Sequence, residues 1–479
     1  MTDQTTEKKS IFKTLPRNYW VVIIMEFFER GSYYGVMSIL SVYLVLSVAD
    51  GGLGFSKESV GLLKSIITPL LYFLPIIAGA IADRYGYRKS LMFAFVVMCI
   101  GYTLSSFMTS YWLIFGTLIF TMIGAGTFKP IISGTIARVT DEKTSTIAFG
   151  IFYWTINLGA FLFPLILVNI LKNSFGYSSI LVMAGIGTGM LLLANIFLYK
   201  EPDKPKSDKK IGDVLLGALK VLGDVRFIAL IVIYSCFWIL YFQQFDTVLW
   251  YVKEHMDMTP VNDAVNAFLG LFMSNPSWTF DVEHVTVINA GTIILLQLLV
   301  SKIVQNKKAL PTMITGIAIG SVGMAILAIS MHAWVFIAGI FIFSVGEMTA
   351  HPKFISYVGL IAPEDKKATY LGYSFLYGVI GSSIAGVLGA TLYVKFIDNP
   401  MIEFIKTKLV EASSAIVLPE GVTIEKAMEA ADKIGLSRDA ITPYASSSEL
   451  WLIFSGIGVA TIIGLLLYNK FIALKTKNV

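Results

Sequence analysis

The strongest constraint on this chain is its series of long apolar runs. About twelve of them lie near 19–48, 58–82, 89–108, 111–137, 146–171, 179–199, 227–253, 284–304, 311–331, 333–361, 368–396 and 449–470. Each is long enough to cross the hydrocarbon of a bilayer, which takes roughly 20 apolar residues at about 1.5 Å of helical rise per residue. The runs do not alternate in polarity, so transmembrane β-strands are excluded. Of the 479 residues, 56% are hydrophobic and 14% charged, whereas a soluble chain is nearer 45–50% apolar and about a quarter charged. A cytosolic enzyme of several domains is therefore set aside, and the expected class is an all-α polytopic membrane protein.

The net charge of +5 is read by position. Lys8, Lys9, Lys13, Arg17, Arg84, Arg88, Lys89, Arg138, Lys143, the KEPDKPKSDKK string, Lys307, Lys308, Lys366, Lys367 and the tail lysines fall in loops on one side. Basic residues collect in cytoplasmic loops, so both termini are expected to be cytoplasmic, in a plasma or inner membrane. The basic charge is a topology signal, and no nucleic-acid partner is expected. The first twenty residues are polar and carry acids, so no cleavable signal peptide is expected. Cys99 and Cys236 fall inside spans, where small apolar packing is the expected role.

The Lys- and Pro-rich stretch after residue 199 divides the runs six and six. The expected domains are an N-terminal bundle over 1–199, a cytoplasmic linker over 200–225 and a C-terminal bundle over 226–479. Six plus six suggests two pseudo-repeats around a central cavity. Residues 398–447 are expected to form an extracytoplasmic insertion between the last two helices. Within it Thr423 is expected to cap a short helix with Ile424, Ala427, Met428, Ala431 and Ile434 on one face and Gly435 at its end. The stretch 257–282 has a turn signal at Asn275-Pro276 and shows no chemistry.

Charges inside spans are costly unless they face a cavity or a partner. In the first span Glu26, Glu29, Arg30, Tyr33 and Tyr34 share one helical face. A self-neutralising patch would hold Arg30 to Glu26 at i,i+4. The other reading leaves one of the two carboxylates free to take a proton. Lys129 stands before Pro130 in the fourth span, as a cavity cation or a snorkelling one. Glu347 lies near the middle of the tenth span, with His351 one turn on and Lys353 beyond it. His351 is either titratable or a neutral imidazole bonded to a carbonyl, and Lys353 is expected to snorkel. Asp246 lies in the outward half of the seventh span, at a cavity mouth or gate. Asn157, Asn289, Gln243 and Gln244 either line the cavity or bond between helices. Two cations in one half facing an acid in the other suit a zwitterion, with the extra acids as a proton site.

At these residues the sequence resembles the proton-coupled oligopeptide transporter family of the major facilitator superfamily. The string Glu26-Phe-Phe-Glu29-Arg30-Gly-Ser-Tyr33-Tyr34 is similar to that family's ExxERFxYY signature, and residues 78–89 are similar to its GGxxADxxxG loop. Lys129 before Pro130, Asn157, Asn289, and Glu347 five residues before Pro352 also fall on the family pattern. The resemblance implies a fold of twelve transmembrane helices in two six-helix halves. It implies that Arg30 and Lys129 hold a peptide carboxylate and Glu347 its amino group, with Tyr33, Tyr34, Tyr72, Asn157 and Asn289 contacting the rest. Proton coupling would fall to Glu26, Glu29, Arg30, Glu347 and His351. Gating would fall to Asp83, Arg84 and Arg88 on the cytoplasmic side and to Asp246 on the outer side. Gly31, Met37, Phe242, His351 and Lys353 depart from the pattern, which points to a differently built outer gate and leaves Glu347 open to internal neutralisation.

The expected function is proton-coupled symport of di- and tripeptides by alternating access. The alternatives are symport of another small zwitterionic or anionic solute and, as a minor one, a membrane receptor. No enzyme motif is present, and no metal or cofactor is expected beyond the proton as coupling ion. The expected partners are a small peptide or other small charged solute, protons and the bilayer lipid, with a monomer as the default for the superfamily.

Overall fold

Backbone polar groups have no water to bond in hydrocarbon, so a chain of long apolar runs must satisfy them within helices. The computed structural model describes residues 15–202 and 221–473 and holds no strand among them. The amino-terminal lysines, most of the expected linker and the tail lysines lie outside the described residues. Eleven helices among the described residues carry an apolar stretch long enough to cross a membrane. The first helix, α1 (Arg17–Met37), is interrupted by Glu26, Glu29 and Arg30 yet is largely buried, and it makes the twelfth.

The others are α2 (Lys57–Tyr85), α3 (Tyr87–Ser105), α4 (Tyr111–Val139), α5 (Glu142–Leu162), α6 (Ser178–Phe197), α7 (Val225–Phe242), α8 (Glu283–Val304), α9 (Ala309–Leu327), α10 (Ala333–Ile361), α11 (Leu376–Tyr393) and α12 (Ser447–Tyr468). Lys57 of α2 bonds Asp398 just beyond α11, and Lys172 just beyond α5 bonds Asp281 before α8, which puts these helix ends on one face. We call it the cap face, because residues 399–446 lie on it, and the opposite one the linker face.

Several expected spans are not simple rods. The run 19–48 breaks after Met37, and a separate short helix, Leu40–Val45, follows. The seventh run passes through a 3-10 turn at Gln243–Phe245 before resuming as Thr247–His255. The two breaks meet: the Asp246 carboxylate accepts from Ser41 Oγ, and Trp250 Nε1 donates to the Ser41 carbonyl at 3.0 Å.

The backbone keeps winding across the expected boundary at 398. After α11 the backbone takes a π turn at Val394–Asp398 and continues as a helix over Asn399–Glu411. Pro400 has no N–H to give, and standing in the first turn of the resumed helix it sits where that loss is tolerated. Asn399-Pro400 therefore marks a change of winding and not an end. In the insertion a helix forms at Ile424–Lys433, with Ile424, Ala427 and Ala431 buried as expected. Met428 and Ile434 are only half-buried, Gly435 closes the helix at φ +71°, and Thr423 occupies the cap position without a side-chain bond. The stretch 257–282 contains a further helix, Thr259–Leu269, that the turn signals did not reveal.

Where α2 meets α11 at the cap end, Gly61 and Gly386 bring two backbones into contact. A Cβ on Gly61 would lie 2.5 Å from the Gly386 carbonyl oxygen, closer than two such atoms can approach. Next to it the Val387 N–H donates to Ser65 Oγ at 2.9 Å. Gly61→Val is therefore expected to keep the cap face from closing. Expression should be retained, and Ser65→Cys in that background should react at least threefold faster with a membrane-impermeant maleimide than Ser65→Cys alone.

Candidate functional site

A cavity of about 450 Å³ lies between the helices, with Arg30, Tyr34 and Lys129 on the side of α1–α6 and Asn289, Glu347 and His351 on the side of α7–α12. Its volume is that of a site for a small molecule. Glu26, Tyr72 and Asn157 also line it, whereas Tyr33 lines a smaller recess toward the cap face with Lys64 and Asp246. The structure thus brings together every substrate-contact residue read from the sequence, in two adjoining spaces.

The Arg30 partner differs from the i,i+4 expectation. Its Nε and Nη2 donate to the two oxygens of Glu29 at 2.5 and 2.7 Å, a fork-on-fork pair. Glu26 stands off at 3.7 Å, and its Oε2 is buried with no hydrogen-bond partner among the described residues. Glu29 therefore has both oxygens engaged, and Glu26 leaves one open to a proton. The Arg30 guanidinium also lies over the Tyr33 ring at 4.9 Å.

Lys129 has no ion pair among the described residues. Its ammonium sits over the rings of Tyr72 and Phe375, at 4.8 and 5.9 Å, which attract a cation without neutralising it. Opposite, Glu347 accepts from Asn289 Nδ2 at 2.9 Å, an amide and not a cation. The neighbours that could have neutralised it point elsewhere. His351 Nδ1 meets the Tyr234 hydroxyl at 3.3 Å, and Lys353 reaches toward the linker face and donates to the carbonyls of Gln305 and Lys307, at 3.3 and 2.8 Å, just past the end of α8. Asn157 donates to the Tyr153 carbonyl of its own helix at 2.9 Å. The missing aromatic side chain at Gly31 is replaced in space by the Phe163 ring, which fills the volume a Cβ there would need.

Toward the cap face the two sides are joined by ions of which the sequence reading singled out Asp246 alone. Lys64 Nζ lies 3.2 Å from Asp246, beside Met37 Sδ at 3.9 Å. Asp246 thus has a partner from α2 where Met37 offers none. Lys57 bonds Glu254 and Asp398, both at 2.9 Å, and Lys172 bonds Glu283 at 2.6 Å and Asp281 at 2.7 Å. Burial alone would push the Asp281 carboxyl up, yet the Lys172 and Lys253 ammoniums hold it below the ordinary carboxylate range. The available signal was the spacing of Lys57 and Lys64, two turns apart on one face of α2.

On the linker face Asp83 pairs with Arg138 at 2.6 Å and accepts from the Tyr87 hydroxyl at 3.0 Å. Neither Arg84 nor Arg88, the residues expected beside Asp83 at this gate, supplies its ion pair. Arg84 is exposed and lies over the Tyr85 ring, and Arg88 donates to the Ile196 carbonyl. Among the described residues no ion pair joins the two sides at this face, and the ion pairs between the sides that they do form lie toward the cap.

Buried charges thus surround a central cavity between two groups of six membrane-crossing helices. The sequence matches the model of the Major Facilitator Superfamily over residues 22–386, and the chain belongs to that family. It is 30% identical over 242 residues to dipeptide and tripeptide permease B of Shigella dysenteriae, which covers 47% of this chain and 45% of the permease. It is 32% identical over 185 residues to an uncharacterised Bacillus subtilis transporter, YclF, with 38% and 37% covered. These matches span less than half the length of either relative. The peptide transporter YePEPT of Yersinia enterocolitica is matched more fully, at 23% identity over 84% of this chain and 92% of that one. Among solved structures, a POT family transporter in complex with 5-aminolevulinic acid superposes with a TM-score of 0.67 at 20% identity, covering 96% of this chain and 99% of that one. The major facilitator fold is thereby shown.

Removing one member of a buried ion pair strands the other charge, at about 3–5 kcal/mol, while replacing both is often nearly neutral. Lys64→Met and Asp246→Asn should each lower the melting temperature in detergent, and the double variant should melt closer to wild type than either single one. Additive losses would show that the pair is not coupled.

Proposed function

We propose that the chain is a proton-coupled symporter importing di- and tripeptides by alternating access. The observation that carries this reading is the division of charge in the cavity. Arg30 and Lys129 stand on one side, and Glu347, with no cation of its own, stands on the other. A peptide brings a carboxylate and an amine separated by its backbone, which matches that division.

The Arg30 pair suggests how the proton is coupled. The Nε–Nη2 edge of the Arg30 guanidinium is engaged by Glu29, so a substrate carboxylate gains that two-pronged edge only when Glu29 releases it. A proton delivered through the open oxygen of Glu26 to Glu29 removes the charge that holds Arg30. The substrate carboxylate then replaces Glu29, and substrate and proton bind together. Tyr33, Tyr34, Tyr72, Asn157 and Asn289 would shape the pocket, and His351, turned toward Tyr234, would be structural. The Lys64–Asp246 pair would serve as the outer gate and Asp83 with Arg138 as part of the inner one.

In this reading residues 1–199 and 226–479 are the two rocking halves joined by 200–225, and 398–447 rides on the second half. The cap face is extracytoplasmic, both termini are cytoplasmic, and a monomer in the plasma or inner membrane carries out the cycle. The relatives named as peptide carriers support a peptide over another small zwitterion.

The test is uptake into proteoliposomes under an imposed proton gradient and membrane potential, comparing di- and tripeptides, their C-terminal amides, free amino acids and organic anions. Peptides should accumulate and amides should not; accumulation of non-peptide solutes alone would replace the substrate and keep the carrier. Glu29→Gln should abolish gradient-driven accumulation yet retain counterflow, and accumulation surviving in this variant would place the coupling elsewhere. Lys129→Ala should raise KM for peptides at least tenfold, about 1.4 kcal/mol, without changing that for amides.

A further inference from the structure

Away from the central cavity, a second hollow of about 420 Å³ opens on the bilayer-facing seam between α5, α8 and α10. Phe161 of α5 forms one wall, Ile288 and Leu295 of α8 the floor, and Phe341 of α10 the other wall. Leu295 is 78% exposed, so the hollow faces whatever surrounds the helices, and around membrane-spanning helices that is lipid.

The roof is built, not draped. Trp278 and Phe280 lie over the hollow and are held by the helix Thr259–Leu269. Asn266 receives the Trp278 N–H and donates to its carbonyl, both at 2.8 Å, and Asn262 receives the Phe280 N–H at 2.7 Å. A Trp at this height marks the interfacial level of a bilayer, where headgroups give way to chains.

Under this roof stands His284, 2% exposed and edge-on to Trp278 at 4.9 Å. Its Nδ1 is 3.0 Å from the Asp281 backbone N–H and 3.2 Å from the Asp281 carbonyl oxygen. Accepting the nearer N–H places the proton of the neutral ring on Nε2. That Nε2 is buried and has no partner among the described residues, in a lining that is otherwise almost all carbon. A buried donor left unsatisfied is costly, so the site favours any ligand that brings an acceptor to it.

We propose that this hollow is a lipid site, in which one acyl chain of an ester-linked glycerolipid lies between α5, α8 and α10 and an ester carbonyl accepts from His284 Nε2–H. The ester group of a bilayer lipid sits at the depth of the Trp belt, which is the depth of His284. A chain already in hydrocarbon gains no hydrophobic energy by moving into the hollow. Selectivity therefore rests on the hydrogen bond and on fit, and the site should distinguish an ester from an ether lipid. The inference requires only that the helices span a bilayer and is independent of the solute carried.

The test uses the full chain in phosphatidylcholine vesicles doped with a trace of phosphatidylcholine bearing a diazirine in one acyl chain, with adducts mapped by mass spectrometry. Adducts on residues 161–165 and 287–295 should exceed those on the equally open Leu298 several-fold. An ether-linked probe of the same length should label these residues at least threefold less. Val287→Trp, which fills the hollow, and His284→Phe, which keeps the ring but removes the donor, should each lower the ester-probe yield at least threefold. Adducts spread evenly over lipid-facing side chains, equal labelling by ester and ether probes, or unchanged yield in both variants would overturn the assignment.

Discussion

A lysine inside an apolar helix cannot be left alone, and much of this structure follows from where its lysines find their counterions. Lys57 and Lys64 stand on one face of α2 and Lys172 just beyond α5, and each is buried. Among the described residues no carboxylate of their own six helices answers them; the answer comes from the other half, through Glu254, Asp246, Asp398, Asp281 and Glu283. The desolvation of these ions is recovered only while the two sides are in contact. The same contacts let the Gly61 and Gly386 backbones touch and close the cavity from the cap face.

Regular helices alone would not deliver these groups. Asp246 sits at the interruption of the seventh span, opposite the interruption that follows α1. Asp398 ends the π turn beyond α11, and Phe163, which takes the space left by Gly31, begins the one beyond α5. Each irregularity spoils a stretch of backbone hydrogen bonding and turns a side chain toward the seam or the cavity. In hydrocarbon such irregular backbone is tolerated where it is buried in protein, a condition met by the break after Met37 and the one at Gln243–Phe245, while each π turn buries one side and exposes the other.

The sequence makes the helices and the central charges plain because both are local properties. A run of apolar residues is visible as a run, and Glu26, Glu29, Arg30, Lys129 and Glu347 stand out against it. Partners are not local. Glu26 at i,i+4 was the natural mate for Arg30, but the rotamers chose Glu29. Asp83 was grouped with the arginines nearest in sequence, whereas Arg138, 55 positions on, reaches it in space. Lys57 and Lys172 lie at span ends, where a basic residue is easily passed over. Asn399-Pro400 has the composition of a helix stop, but a change of winding absorbs it. Asn262 and Asn266 gave no periodic signal because their task is to hold a loop.

The ion pairs across the seam share one polarity: among the described residues every cation comes from α1–α6 or the turns after them, and every acid from the other half. The central cavity repeats that sense, with Arg30 and Lys129 facing Glu347. Parting the two sides at the cap face would expose a positive wall and a negative wall across the entrance, like the plates of a small capacitor. A dipolar molecule drifting in would be turned by that field before it reached the cavity, and turned in the same sense as the charges of Arg30, Lys129 and Glu347 are set.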